Sequence, residues 1–210
     1  MSSQNSNYRV LHDNGSIQCL IGQGTMADSI KSALGTTEHV SFEFVQSQTL
    51  DWINQRQFLI GTSVVKFKQQ VVNYLDRFGA HYFSLVGINN IISPGTQIGK
   101  GTFINIFNDL SADSIIGDHC VVTTHCQFGH NVEIGSLSHI SSYAYLNNTV
   151  LGKGTIIGLR VSMVSRSQIL ITDYCNFILN GVVTDSVIQS GTYFGNRKMS
   201  DQNSIEHRIL

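Results

Sequence analysis

Four of the chain's eight histidines fall in one stretch, IGDHCVVTTHCQFGHNVEIGSLSHI (Ile116 to Ile140): His119, His125, His130 and His139. A neutral imidazole near its ordinary pKa of ~6.5 takes a proton from a hydroxyl or an amine at physiological pH. A nucleophile freed in that way attacks a thioester held beside it, and backbone N–H groups stabilise the developing oxyanion. Such acyl transfer requires neither a metal nor a covalent enzyme intermediate. A single histidine of this kind is ordinarily a surface residue on a chain poor in other charges; four in close succession weigh against that reading.

Metal binding is the rival chemistry. His125 and His130 are five apart, a workable spacing for ligands on adjacent faces of a coil, and subunits could share a zinc, as in a γ-class carbonic anhydrase. That arrangement requires a third histidine several coils upstream, and residues 82–118 contain none. The expectation is therefore no metal. Cys120, Cys126 and Cys175 recur at one small position of a repeat, which suits core filling better than a thiolate role. No CxxC pair occurs among the four cysteines.

The elements that must position the histidines announce themselves by period. Ile92, Ile98, Ile104, Leu110, Ile116, Val122, Phe128, Ile134, Ile140 and Leu146 follow one another at steps of six. Four residues after most of them comes a small side chain, as at Thr102, Ser114, Cys120, Cys126, Ser138 and Ala144, with Asn108 the exception. Three six-residue faces make one triangular coil, each pointing one large and one smaller side chain inward, and each coil buries its apolar edge by stacking on the next. The spacing shortens by one between Leu146 and Leu151, then gains two before Ile171, Phe177 and Val183. In this register His119 and His125 take the third place after an inward aliphatic residue; His130 and His139 take the second and fifth, which places them near corners.

The first part of the chain has a different rhythm. Ile17–Ile21 reads as a buried strand ending in Gly22-Gln23-Gly24, and Met26 to Leu34 as a helix. Val40 to Val45 and Phe58 to Gly61 read as strands, and Val64 to Phe78 carries apolar residues at helical spacing. Strand–helix–strand order favours a parallel sheet with helices outside. The lone Gly-x-Gly is either a tight turn into the helix or a loop whose backbone approaches a diphosphate at the helix N-terminus. The expected fold class is α/β + β: a small Rossmann-like domain over 1–88, a left-handed parallel β-helix of hexapeptide repeats over 89–198, and a tail over 199–210.

Composition narrows the function classes. The net charge of −1 and pI near 6.7 give no global basic field for nucleic acid. Charged residues make up 13%, about half the usual ~25% share, and 19 glycines accompany the single Pro94, as suits tight coils. No apolar run reaches the ~20 residues of a membrane helix, and the N-terminus lacks the apolar core of a signal peptide. These features favour a reducing, cytoplasmic setting without membrane insertion.

Over nearly its whole length the chain resembles the PglD/NeuD-type sugar acyltransferases of bacterial surface-polysaccharide pathways. The matching segments are CLIGQGTMADSI (Cys19 to Ile30), FLIGT (Phe58 to Thr62), SPGTQIGKGT (Ser93 to Thr102), FGHNVEIG (Phe128 to Gly135), SHIS (Ser138 to Ser141), FILNGVVTDSV (Phe177 to Val187) and FGNRK (Phe194 to Lys198). The resemblance implies an acetyl-CoA-dependent acyltransferase acting on the amine of a nucleotide-linked amino sugar, with acetyl-CoA as co-substrate and a homotrimeric assembly. It implies His130 as general base with Asn131 beside it, where the family commonly has an acid. Glu133 or Asp109 then remain to supply negative charge. It implies acyl-CoA contacts from His139, Asn148, Gly158, Gly181 and Lys198, and substrate contacts from Gly22, Gly24, Gly61 and Asp109. Alternatives are O-acetylation of a sialic-acid-like sugar, a non-catalytic hexapeptide scaffold, and a γ-carbonic-anhydrase-like metal enzyme.

Overall fold

The computed structural model describes residues 7–34 and 37–200, so most of the expected tail, 201–210, lies outside the described residues. The inward aliphatic series closes the chain into a parallel β-helix. Ile91, Asp109, Gln127 and Tyr145 stand opposite one another in successive coils, 18 residues apart; the next two steps, to Ser162 and Val182, are 17 and 20. Three faces result. The first carries Phe103–Ile104, Val121–Val122, His139–Ile140, Ile156–Ile157, Cys175–Phe177 and Gly191–Phe194. The second runs from Ile91–Ile92 to Val182–Val183, and the third from Gln97–Ile98 to Ile169–Ile171.

The second residue of each two-residue strand points into the coil, as do the first and third of each three-residue strand, such as Val132 and Ile134 or Cys175 and Phe177. Ile104, Val122, Ile140, Ile157 and Phe177 form one inward column; Leu110, Phe128, Leu146, Met163 and Val183 form a second, all fully buried or nearly so. Burying each such side chain contributes about 1.5–3 kcal/mol, which a single coil could not secure alone. The cysteines fill the small inward places, and burial pushes the Cys120 and Cys126 thiols up to about 11, so they pack as thiols. Asn108 is tolerated there because its amide is satisfied in the stack: Nδ2 donates to Asn105 O at 2.9 Å and Oδ1 accepts from Cys126 N at 2.7 Å.

The corners carry the sharp turns. Between the first and second faces, Phe107, His125, Tyr143, Arg160 and Asn180 have positive φ; between the second and third, Gly95, Asp113, Asn131 and Asn148; between the third and first, Gly101, His119, Leu137, Gly154 and Tyr174. The third place after the inward aliphatic is thus the corner itself, occupied by His119, His125 and Asn131. His130 stands just before a corner. His139, at the fifth place, lies within a strand on the first face rather than at a corner.

Residues 17–82 form the α/β unit, with β2 (Ile17–Ile21), β3 (Glu38–Val40), β4 (Arg56–Ile60) and β5 (His81–Tyr82) in the parallel order β3-β2-β4-β5. Helix α1 (Thr25–Leu34) follows β2, and α4 (Val65–Asp76) follows β4. Two short helices, α2 (Phe42–Gln46) and α3 (Leu50–Asn54), separate β3 from β4. The strand expected over Val40 to Val45 therefore ends at Val40. Ser41 starts a helix instead, its side chain accepting from Phe44 N at 3.2 Å, and this cap outweighs the apolar alternation of the segment. Two strands join the β-helix rather than this sheet. β6 (Ser84–Gly87) pairs in parallel with Phe103–Ile104, and β1 (Tyr8–Leu11) adds antiparallel outside it.

The α/β unit lies against the first face. Leu20, Ile30, Leu59 and Phe83 pack with Phe103 and Val121, while Val65, Val71, Val72 and Tyr82 pack with Leu137 and Ile156. Lys68, on the buried stripe of α4 with Val65, Val72 and Leu75, is fully enclosed in this junction. Its ammonium donates to His119 O at 2.9 Å and Leu137 O at 3.4 Å, two carbonyls left exposed where the chain turns through positive φ. Burial lowers the Lys68 pKa to about 8.

Candidate active site

His130 lies where the second face turns into the third, between the strands Gln127–Phe128 and Val132–Ile134. Its side chain is exposed, as is that of Asn131, whose φ of 53° makes the turn; Asn tolerates that conformation better than most residues. The backbone around it is tied to the coil above. His130 N donates to Asn147 Oδ1 at 3.2 Å, Asn148 N donates to His130 O at 2.8 Å, and Thr149 N donates to Asn131 O at 3.1 Å. Gly129 makes room for this, since a Cβ there would stand 2.3 Å from Asn147 Oδ1.

Both departures from the six-residue step fall at this same corner, directly above His130. The coil carrying Asn147 and Asn148 is one residue short, and the next opens into the loop Val164 to Gln168, which includes Arg166. Coils are spaced about 4.8 Å apart, so contraction followed by expansion alters the outline of the edge just where the imidazole projects. Among the described residues neither ring nitrogen of His130 bonds to another side chain, and Glu133, exposed on the third face, forms no ion pair with it. The imidazole is available to an outside proton donor.

The expected site residues fall into separate groups. His130, Asn131 and Asn148 come together at one corner. Asp109 lies on the second face one coil below Gln127, half-buried, its strand register set against Ile91 and Gln127. Gly158 leads into the corner that carries Arg160 and Asn180, Gly181 leads out of it, and Lys198 closes the last strand pair, exposed. Gly22, Gly24 and Gly61 sit together in the α/β unit, where a Cβ on Gly22 would stand 2.4 Å from Gly61 O.

His139 is not brought to the His130 corner within the chain. It stands between Val121 and Ile156 on the first face, 7% exposed beneath the α/β unit, with Nδ1 buried and without a partner. Burial, then the nearby Lys68 charge, lowers its pKa to about 3. His119 is likewise enclosed, its ring edge-on to Tyr82 at 4.4 Å; burial lowers its pKa to about 4. His125 belongs to a third environment, an exposed stack with Phe107 at 5.3 Å and Tyr143 at 5.0 Å, with Arg160 over Tyr143 at 5.7 Å. The four histidines that cluster in sequence thus fall into three different environments, with His119 and His139 sharing the enclosed junction near Lys68. No group of three His, Cys, Asp or Glu side chains among the described residues is arranged to hold a metal ion.

A recess of about 190 Å³ opens at the carboxyl ends of β2, β3 and β4, lined by Gly22, Gln23, Phe42, Glu43, Thr62 and Phe67. Sequence reasoning reached Gly22 here but missed Phe42 and Glu43, because residues 40–45 read as a strand, and Phe67, which read only as one apolar position of the helix over Val64 to Phe78. It also missed Lys68, whose signal was a lysine standing in the apolar stripe of α4.

No protein-family model matches the chain, and no curated protein matches its sequence. Solved structures do match its fold. The acetyltransferase domain of PglB from Neisseria gonorrhoeae is 16% identical with a TM-score of 0.67, the match covering 88% of this chain and 99% of that one. WeeI from Acinetobacter baumannii is 17% identical with a TM-score of 0.74, over the same shares of the two chains. PerB from Caulobacter crescentus, solved in complex with CoA and GDP-perosamine, is 15% identical with a TM-score of 0.66, over 88% and 97%. The expected architecture, a Rossmann-like unit joined to a left-handed β-helix, is the fold the chain has.

Proposed function

We propose that the chain transfers an acetyl group from acetyl-CoA to the amine of a nucleotide-linked amino sugar. The observation that carries this reading is His130: an exposed, unpartnered imidazole on a β-helix corner, on a fold shared with an acetyltransferase domain and with a protein solved with CoA and a nucleotide amino sugar. The neutral sugar amine attacks the thioester carbonyl carbon. His130 takes the proton that the nitrogen sheds as the C–N bond forms, and the tetrahedral intermediate collapses with loss of the CoA thiolate, which recovers a proton as free thiol. Asn131, in the place beside the base, orients without adding charge. Asn148, in the coil above, and Gly158, Gly181 and Lys198 further along the coils, are the contacts proposed for acyl-CoA.

His139 serves the thioester in this reading only by way of a neighbouring subunit or a shift of the α/β unit, since its ring is enclosed in the single chain. A trimer, in which the His130 corner faces an adjacent β-helix, completes the site. Light scattering checks this, the expected mass being about three times the 23.2 kDa of one chain; a monomer at micromolar concentration would count against the assembled site. Acetyl-CoA and nucleotide sugars are cytoplasmic metabolites, so the proposed setting is the cytoplasm.

The deciding experiment follows thiol release from acetyl-CoA with UDP-, GDP- and dTDP-linked amino sugars and free sialic acids, with His130→Ala alongside. Release that depends on a nucleotide-linked amino sugar and falls at least ~100-fold in the variant supports the proposal. Release with a sialic acid alone would point to O-acetylation. A folded protein that neither binds CoA nor releases thiol would be a scaffold.

A further inference from the structure

We infer that Asn147 is a catalytic residue of the proposed acyl transfer, its side-chain Nδ2 donating to the thioester carbonyl oxygen as that oxygen becomes an oxyanion. This rests on the acyl-transfer reading above and assigns a residue to oxyanion stabilisation, which that reading leaves open.

The short coil decides which donors are left. Backbone N–H groups at the corners are the oxyanion donors expected of such a coil. In the coil above His130 they are spent. Asn147 N donates to Met163 O at 3.2 Å, Asn148 N to His130 O at 2.8 Å, and Thr149 N to Asn131 O at 3.1 Å. With one residue fewer between Leu146 and Leu151, the turn lies on the coil beneath, and two successive carbonyls, those of His130 and Asn131, are both capped by it.

A side chain supplies the donor instead. The place just before this corner is held in successive coils by Ser93, Ser111, Gly129 and Asn147. At the level of His130 the serine gives way to glycine, with asparagine above it. The two interlock: the space a Cβ on Gly129 would fill holds the Asn147 carboxamide, whose Oδ1 accepts from His130 N at 3.2 Å. A backbone N–H only donates, so the atom facing it is the amide oxygen and the orientation of the group is settled by chemistry. Nδ2 is thereby held, on a planar group, beside the residue that bears the base. Asn147 is half-buried, and its Nδ2 donates to no atom among the described residues.

The reaction needs such a donor. Attack of the amine on the carbonyl carbon forms the C–N bond and moves the C=O π pair onto oxygen, while His130 takes the proton the nitrogen sheds. The oxyanion accepts from Asn147 Nδ2. Its pair re-forms the C=O as the C–S bond breaks, and the departing sulfur recovers the proton from the His130 imidazolium. A hydrogen bond to an ionised acceptor is about twice as strong as one to a neutral acceptor, so the carboxamide favours the oxyanion over the thioester and acts on kcat.

Two substitutions separate donor from anchor. Asn147→Asp keeps an oxygen for His130 N but has no N–H and sets a negative charge against the oxyanion. Asn147→Ala loses both functions, and since serine holds the same place at 93 and 111, a small residue there keeps the coil; circular dichroism verifies both folds. Thiol release from acetyl-CoA is followed with the full chain, beside His130→Ala. Rates are read on the alkaline plateau of each variant's pH–rate profile, so that a shifted base is not mistaken for a lost donor. The expected result is a fall in kcat of about 100-fold or more in both variants, with KM for acetyl-CoA nearly unchanged in Asn147→Ala. Parental kcat in Asn147→Asp would mean that the side chain only anchors His130, and it overturns the inference. Parental kcat in Asn147→Ala, or a loss confined to KM, overturns it equally. If the unmodified protein releases no thiol with any acceptor, the acyl-transfer reading falls and the donor with it. His130-dependent release that Asn147→Asp leaves intact removes the donor alone.

Discussion

At the residue scale, function turns on how differently the fold treats chemically identical side chains. His130 and His139 are nine residues apart, yet one projects into solvent at a corner and the other is enclosed beneath the α/β unit. The base has Asn131 as its neighbour, and among the described residues no negative charge pairs with it. Replacing Asn131 by Asp introduces that charge while keeping a residue that tolerates positive φ. The expected outcome is a pH–rate profile of kcat/KM whose acidic limb moves to higher pH, since a nearby carboxylate favours the imidazolium. An unmoved limb would mean that residue 131 lies outside the field of the base.

At the scale of elements, two devices hold corners and domains. The exposed stack of Phe107, His125, Tyr143 and Arg160 runs along one corner, where each of the four takes positive φ. Tyr143→Ala leaves the backbone conformation as strained as before and removes two ring contacts, so a loss of about 1 kcal/mol in urea unfolding is expected. The second device is Lys68, reaching from α4 to the carbonyls of His119 and Leu137. Lys68→Met keeps the volume but leaves both carbonyls bare. A net loss of about 1–3 kcal/mol is expected, together with faster proteolysis between the α/β unit and the coils. Unchanged stability would show that relief of the buried charge balances the lost hydrogen bonds.

At the scale of the molecule, the junction between the α/β unit and the β-helix is acid-sensitive. His119 and His139 are held neutral in the folded state, with pKa values of about 4 and about 3 against an ordinary 6.5. Below pH 6.5 the unfolded chain binds protons that the folded chain refuses, so stability falls as pH falls toward those values. The expected slope is about 1.4 kcal/mol per pH unit for each histidine. Urea unfolding between pH 7 and pH 4 measures it. His139→Gln should flatten the curve, and an equally steep curve in that variant would assign the acid loss to other groups.

The six-residue period, read from the sequence, determined the coils, their inward columns, the core role of the cysteines and the projection of His130, because a local repeat specifies a local geometry that stacking then reinforces. The glycine turns after Ile21 and Ile60 were legible for the same reason: only bare backbone permits their close approach. What the tertiary structure alone decided is what lies opposite each outward side chain. The pairing of Tyr8–Leu11 with Ser84–Gly87, the enclosure of Lys68, His119 and His139, and the meeting of Glu43 with Gly22 and Phe67 all join residues distant in sequence. Period states that a residue faces outward; only the docking of the α/β unit on the first face decides whether outward means water or a second core.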